Sequence, residues 1–124
     1  MKIRSLIENK ILIDNLKTLK ARTPEFQVKL FFVLRALLNE LNMFEEFKSY
    51  LKNILKKEVI NVDDPEYIEY SERVEEYLNS SILPNRIIGS KFNGFFMEEL
   101  QENNISEELI NFFKTLKIVI DVEE

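Results

Sequence analysis

The chain contains no histidine and no cysteine among its 124 residues. Without histidine it has no Ser-His-Asp triad, no imidazole metal ligand and no side chain that ordinarily titrates near neutral pH. Without cysteine it has no thiol catalysis, disulfide or iron–sulfur ligation. We therefore expect no enzyme that relies on these residues and no bound cofactor. The lack of disulfides fits a reducing compartment such as the cytoplasm.

Glycine and proline are also scarce, with two and three residues. This scarcity disfavours a turn-rich β-sandwich. Gly89 and Gly94 have the spacing of the two glycines in a P-loop, but Phe95 and Phe96 stand where that motif requires Lys and Ser or Thr. The sequence therefore contains no recognisable phosphate-cradling loop.

Long apolar runs are missing as well. The longest apolar block, residues 28–41, is interrupted by charged residues and is too short to cross a bilayer. Glu8, Lys10 and Asp14 interrupt the first segment, so no signal peptide is recognisable. We predict a soluble, cytoplasmic protein that has no membrane partner.

The residues that are present follow a helical pattern. Apolar side chains recur at helical spacing and predict an all-α, single-domain bundle over residues 1–124. Six helices are expected, at about residues 2–20, 24–41, 43–57, 65–80, 84–102 and 106–117. Cap chemistry supports several of these starts: Thr23 before Pro24, Asn42 three residues before Glu45, Asp64 before Pro65, and Ser106.

Two features place these elements relative to one another. Helix 24–41 is apolar nearly all round, which predicts a central helix that other helices surround. The β-branched segments 59–62 and 118–122 are expected to pair as a minor two-stranded ribbon. The glycines in 84–102 leave open one helix or two short ones, and Asn93-Gly94 alternatively fits a hairpin turn.

Charge is distributed unevenly along the chain. Residues 1–35 carry eight Lys or Arg against three acids, whereas residues 36–124 carry nine against nineteen. The net charge is −5. Such a split predicts a bipolar surface, one end of which suits an acidic partner.

Two basic groups are candidates for phosphate contacts. One lies in the first segment and the other recurs every four residues on a helix; the candidates are Lys10, Lys17, Lys20, Arg22, Lys48, Lys52 and Lys56. An ordinary solvated helix face explains the same pattern, and the net negative charge argues against a nucleic-acid domain. Residues 84–117 loosely resemble a helix-turn-helix, but Glu107 and Glu108 begin the helix that would enter the groove.

The acids Asp63, Asp64, Glu66 and Glu69 are the candidates for a hard cation such as Mg²⁺ or Ca²⁺. No calcium-loop spacing is present, and acids are common in the first turn of a helix, so we expect no metal site. The same acids are candidates for a protein interface. The run from Asp63 to Glu76 would also suit a mimic of nucleic acid that blocks a basic groove.

Ten Phe and four Tyr are many for this length. Neighbouring residues on a helix point about 100° apart, so both members of a Phe pair cannot easily face one core. A partner surface is therefore one interpretation of the pairs Phe95/Phe96 and Phe112/Phe113, and a wide buried face is the other.

Three functions compete on this evidence. The sequence favours a non-catalytic binding module, namely a small subunit, adaptor or inhibitor that binds a protein partner or a second copy. The alternative is a helical nucleic-acid-binding domain that contacts phosphates through the basic residues named above. A carboxylate–metal enzyme comes last, because the usual catalytic residue types are missing.

Overall fold

A computed structural model describes residues 1–120 and contains six α-helices within them. They are α1 (Ile3–Glu8), α2 (Lys10–Leu16), α3 (Pro24–Ile54), α4 (Tyr67–Asn79), α5 (Met97–Glu102) and α6 (Glu107–Thr115). A 3₁₀ turn spans Pro84–Arg86, and two short strands, β1 (Phe95–Phe96) and β2 (Val119–Ile120), form a ribbon. The all-α class with a minor ribbon is confirmed. No helix in residues 1–120 is both long and apolar enough to cross a membrane.

The 31-residue helix α3 replaces two of the expected helices. The prediction that Asn42 ends one helix and caps the next is wrong, because Asn42 lies inside α3 and its amide donates to the Glu46 carboxylate at 3.2 Å. No glycine or proline interrupts residues 25–54. The buried positions also keep alternating spacings of four and three through the expected break; they are Phe26, Leu30, Val33, Leu37, Glu40 and Phe44.

Helix α3 is not surrounded, which corrects the expectation for residues 24–41. Its buried stripe faces the core, but Val28, Phe31 and Leu38 remain 53%, 55% and 36% exposed. An apolar circumference therefore does not bury this helix on all sides. It leaves apolar side chains in solvent on the face away from the core.

The core lies against the first half of α3. Phe95 is at its centre, with ring centroids 5.1 Å from Phe26 and 4.8 Å from Phe113. Helix α4 lies outside this core and has no fully buried residue. It attaches to the second half of α3 mainly through Tyr77, which stacks on Phe47 at 4.6 Å, and to α1 through an Arg4–Glu75 ion pair.

The ribbon has a different partner from the one expected. Phe95 and Phe96 pair in parallel with Val119 and Ile120, whereas residues 59–62 form no strand. Positions 121 and 122 of the expected strand lie outside the described residues. The pairing requires Gly94, because its φ is +113° and an added Cβ would lie 2.9 Å from Ile120 Cδ1.

The segment 84–102 contains two short helical pieces separated by non-helical chain. Neither Gly89 nor Gly94 is inside a helix. A single helix over residues 84–102 is therefore wrong, and the prediction of two short helices holds in part, because only α5 is an α-helix and the other piece is a 3₁₀ turn. The expected first helix is likewise divided, because Asn9 has ψ of 20° between α1 and α2. Its side-chain amide donates to the Ser5 carbonyl at 2.7 Å.

Buried Asn103 fixes the connection between α2 and α3. Its side-chain oxygen accepts hydrogen bonds from the backbone N–H groups of Arg22 at 2.8 Å and Thr23 at 3.0 Å. Its amide donates to the Glu99 carbonyl at 2.8 Å. Pro24 and Glu25 occupy the first turn of α3 as expected, but the Thr23 side chain makes no capping bond. The Ser106 cap of α6 is confirmed.

Candidate binding surfaces

The exposed face of α3 carries a regular row of side chains, which we call the outer stripe: Val28, Phe31, Arg35, Leu38 and Asn42. Their spacing alternates between three and four residues, so at 100° per residue they follow one line along the helix. Val28, Phe31 and Leu38 are among the exposed large apolar residues of the chain. Arg35 lies between Phe31 and Leu38 and forms no ion pair with a residue in 1–120. The outer stripe is an apolar surface with a positive charge at its middle.

The structure separates the four phenylalanines that were candidates for an interface. Phe95, Phe112 and Phe113 are buried in the core and cannot meet a partner in this fold, which corrects the interface interpretation for these three. Phe96 is 41% exposed. Its ring lies 5.2 Å from the Lys29 ammonium, which also bonds to Glu99 at 2.7 Å.

Four of the seven predicted phosphate contacts come together in two clefts on the same side of α3. Lys10 and Lys48 line a cleft of about 430 Å³ with Phe44. The Lys48 ammonium lies 4.7 Å from the Phe44 ring and 2.9 Å from the Glu45 carboxylate. Lys52 and Lys56 line a second cleft, of about 400 Å³, at the end of α3.

The other three predicted contacts lie elsewhere. Lys20 and Arg22 are exposed in the connection that leads to α3. Lys17, at the end of α2, pairs with Asp14 at 3.1 Å. Lys17, Lys20 and Arg22 were predicted to form one basic group with Lys10, but none of the three lines the cleft that contains Lys10.

The acidic candidates serve local structure. Asp64 accepts from the Asn61 N–H at 2.8 Å, and Lys57 lies between Asp64 and Glu66, 3.9 and 3.4 Å from their oxygens. Glu69 pairs with Arg73 at 3.0 Å, and Asp63 is exposed. Helix α4 begins later than expected, with Glu66 at its N-cap. Within residues 1–120 no three acids come together as a metal site would require.

A cleft that the sequence did not reveal lies on the other side of α3. We call it the Arg86 cleft. It has a volume of about 540 Å³, and its polar and charged lining residues are Arg35, Asn39, Glu40, Arg86, Ser90 and Lys91. Phe32, Met43 and Ile87 are among its apolar lining residues. The one signal in the sequence was Glu40, an acid at a position where the apolar spacing of α3 predicts a buried residue.

Glu40 is only 4% exposed, and Arg86 neutralises it. Its Oε2 accepts a hydrogen bond from Nη1 of Arg86 at 3.3 Å, and its Oε1 lies 3.3 Å from Nε of the same guanidinium. Tyr77 lies in the field of this pair. Burial raises the pKa of the Tyr77 phenol above 10.0, and the Glu40 carboxylate raises it further, while Arg86 opposes the rise.

Comparison with known proteins gives no match: no family model, no curated protein and no solved structure is similar to this chain.

Proposed function

We propose that this protein is a non-catalytic binding module, a small subunit, adaptor or inhibitor in the cytoplasm, and that it docks on a larger protein through the outer stripe of α3. The observation that carries the proposal is the position of Val28, Phe31 and Leu38 on one exposed line of a helix whose opposite face is already buried. A second helix packs well against residues spaced alternately by three and four.

The energetics favour a partner on this surface. Complete burial of an apolar side chain of this size contributes roughly 1.5–3 kcal/mol relative to full exposure. Val28 and Phe31 are about half exposed, so burial of the exposed half by a partner would contribute about 1 kcal/mol of binding free energy from each. The exposed part of each side chain adds nothing to the stability of the free chain.

Arg35 favours a different protein over a second copy. In a symmetric packing of two copies centred on the outer stripe, the two Arg35 side chains would face each other, which is unfavourable for like charges. A partner helix with a carboxylate opposite Arg35 has no such conflict. The proposed partner surface is therefore apolar with an acidic residue at its centre.

Site-specific photocrosslinking in the native host tests this proposal. A photoreactive phenylalanine analogue replaces Phe31 in one variant and Ile11, which is 76% exposed on α2, in a matched control. We expect a single adduct of defined mass from position 31 and none from position 11. An adduct at twice the mass of the chain would identify a second copy instead. The absence of any adduct at position 31 would contradict the proposal.

Nucleic-acid binding is the second candidate, and the arrangement of Lys10, Lys48, Lys52 and Lys56 along one side of α3 favours it. Its test is binding to duplex and single-stranded oligonucleotides over a range of salt. Phosphate contacts predict steep weakening with salt and loss of binding in Lys48→Glu/Lys52→Glu, but not in a Lys114→Glu/Lys117→Glu control at exposed sites outside the predicted set. If no oligonucleotide binds at low salt, this candidate is excluded.

A further inference from the structure

The Arg86 cleft gathers positive charge in an otherwise acidic part of the chain. Between residues 58 and 113 the only basic residues are Arg73, Arg86 and Lys91, and two of these line the cleft. Arg35 joins them from α3. Against three cations the lining holds one carboxylate, that of Glu40. The cleft therefore attracts anions although the whole chain carries a net charge of −5.

The Glu40 carboxylate orients the guanidinium of Arg86. Its Oε2 accepts from Nη1 and its Oε1 lies 3.3 Å from Nε, while Nη2 has no hydrogen-bond partner among residues 1–120. Because Glu40 is buried on the rigid helix α3, it also fixes where the half-exposed Arg86 side chain lies. A guanidinium held in this way is pre-organised to donate to an oxyanion.

The loop after Arg86 adds further donors. The Lys91 ammonium lies 5.6 Å from the centroid of the Phe32 ring and forms no ion pair within residues 1–120. The Ser90 side chain is exposed and also lines the cleft. Gly89 N–H donates to the Phe92 carbonyl at 2.8 Å, which closes the loop into a tight turn beside α3. Donors from α3 and from the 84–92 segment thus surround one space.

The remaining lining restricts the kind of anion. Phe32, Met43 and Ile87 form an apolar wall beside the cations, and the volume of about 540 Å³ exceeds what a bare phosphate fills. A ligand that satisfies both halves has an anionic group and a flat apolar portion. Cations combined with an aromatic side chain are the means by which proteins hold nucleotides without reading their sequence.

We propose that the Arg86 cleft binds a nucleoside phosphate, with its phosphate between Arg35, Arg86 and Lys91 and its base against the wall formed by Phe32 and Met43. The nucleoside phosphate is either a free nucleotide or one unit of a single strand. The proposal is independent of the outer stripe, except that Arg35 belongs to both surfaces, and it uses none of the lysines in the clefts on the other side of α3.

The test is a titration of the full chain at low salt, followed by amide NMR shifts. The probes are pyrophosphate, adenosine diphosphate and a ten-residue single-stranded oligothymidine. We expect adenosine diphosphate to bind more tightly than pyrophosphate, and its largest shifts to lie at residues 35–43 and 86–92. A free nucleotide as ligand predicts that the oligonucleotide is no tighter than adenosine diphosphate, whereas a strand predicts that it is at least about tenfold tighter.

A charge-matched pair of variants makes the test specific. Lys91→Glu/Arg35→Glu removes two phosphate donors and is expected to weaken binding at least about tenfold. Lys114→Glu/Lys117→Glu changes the net charge equally at exposed sites away from the cleft and is expected to change binding less than about twofold. Denaturation curves check that both variants fold. No binding of any probe, equal weakening in both variants, or shifts confined to the Lys10–Lys48 side of α3 would each overturn the proposal.

Discussion

At the scale of single residues, Gly94 is the position where the fold tolerates no side chain. Its φ of +113° is available only to glycine at low cost, and a Cβ would lie 2.9 Å from Ile120 and 3.1 Å from the Ile118 carbonyl. We expect Gly94→Ala to lower the free energy of unfolding by about 2–4 kcal/mol. Urea unfolding measures this, with Gly89→Ala as the control, because a Cβ at Gly89 meets nothing within 4 Å. Equal losses in the two variants would contradict the placement of the ribbon.

Asn103 is the buried polar residue on which the start of α3 depends. In Asn103→Ala the backbone N–H groups of Arg22 and Thr23 lose their acceptor, so we expect a loss of about 2–3 kcal/mol in the free energy of unfolding. Asn111→Ala on the exposed side of α6 is the control, with an expected change below about 0.5 kcal/mol. Hydrogen exchange of the Arg22 and Thr23 amides should also accelerate in Asn103→Ala. Unchanged exchange there would show that these bonds do not form.

Tyr77 links stability to alkaline pH. Its folded-state pKa lies above 10.0 because burial and then Glu40 disfavour the phenolate, so above pH 10 the folded chain retains a proton that the unfolded chain releases. Stability from this group is therefore complete below pH 10 and falls as the pH rises through the folded-state pKa. Above pH 10 the unfolding midpoint should drop more steeply in the wild type than in Tyr77→Phe. Equal slopes in the two proteins would contradict this link.

At the scale of helices and strands, three helices end without the usual glycine. Lys56, Asn104 and Lys117 follow α3, α5 and α6 with φ between 54° and 59°. In each case the next N–H closes a Schellman motif, as in Ile118 N–H to the Phe113 carbonyl at 3.2 Å. A left-handed lysine costs roughly 1–2 kcal/mol relative to an unstrained conformation. These ends therefore carry strain that glycine would relieve.

Lys117→Gly removes the left-handed strain but also increases the conformational entropy of the unfolded chain, which offsets part of the gain. We expect the net effect to be a rise of about 0.5–1 kcal/mol in the free energy of unfolding. Lys114→Gly inside the last turn of α6 is the control and should lower it by about 1 kcal/mol. Chemical denaturation of both variants measures the difference. Destabilisation by Lys117→Gly would show that the lysine at this end of α6 is unstrained or makes a contact of its own.

Periodicity and caps predicted where most helices lie, but not how they are joined. Asn42 and Glu45 match a capping box, yet the buried spacing runs on through them to Phe44 and Leu51, and tertiary burial outweighs a local cap. The pairing in the ribbon could not be predicted from β-propensity. The strand that pairs with Val119–Ile120 is Phe95–Phe96, which is only two residues long and follows a glycine with positive φ.

At the scale of the whole molecule, the core lies on one side of α3, and the outer stripe on the other side is exposed in the part of the chain that the structure describes. The sequence indicated an apolar circumference but not which part of it was in solvent, because burial depends on how many neighbours the chain supplies. The Arg86 cleft was hidden for a similar reason. Arg35 is far in sequence from Arg86 and Lys91, and only the packing of the 84–92 segment against α3 brings them together.

We propose that the exposed part of the outer stripe serves binding. Because Phe31 and Leu38 are 55% and 36% exposed, their buried parts still stabilise the fold, and Phe31→Ser/Leu38→Ser should lower the free energy of unfolding by about 2–3 kcal/mol but leave the chain folded. The decisive measurement is the amount of the position-31 crosslinking partner that co-purifies with this variant from the native host. We predict a reduction of at least about tenfold, against no change for Ile11→Ser. Undiminished recovery of the partner by a folded Phe31→Ser/Leu38→Ser variant would contradict the account.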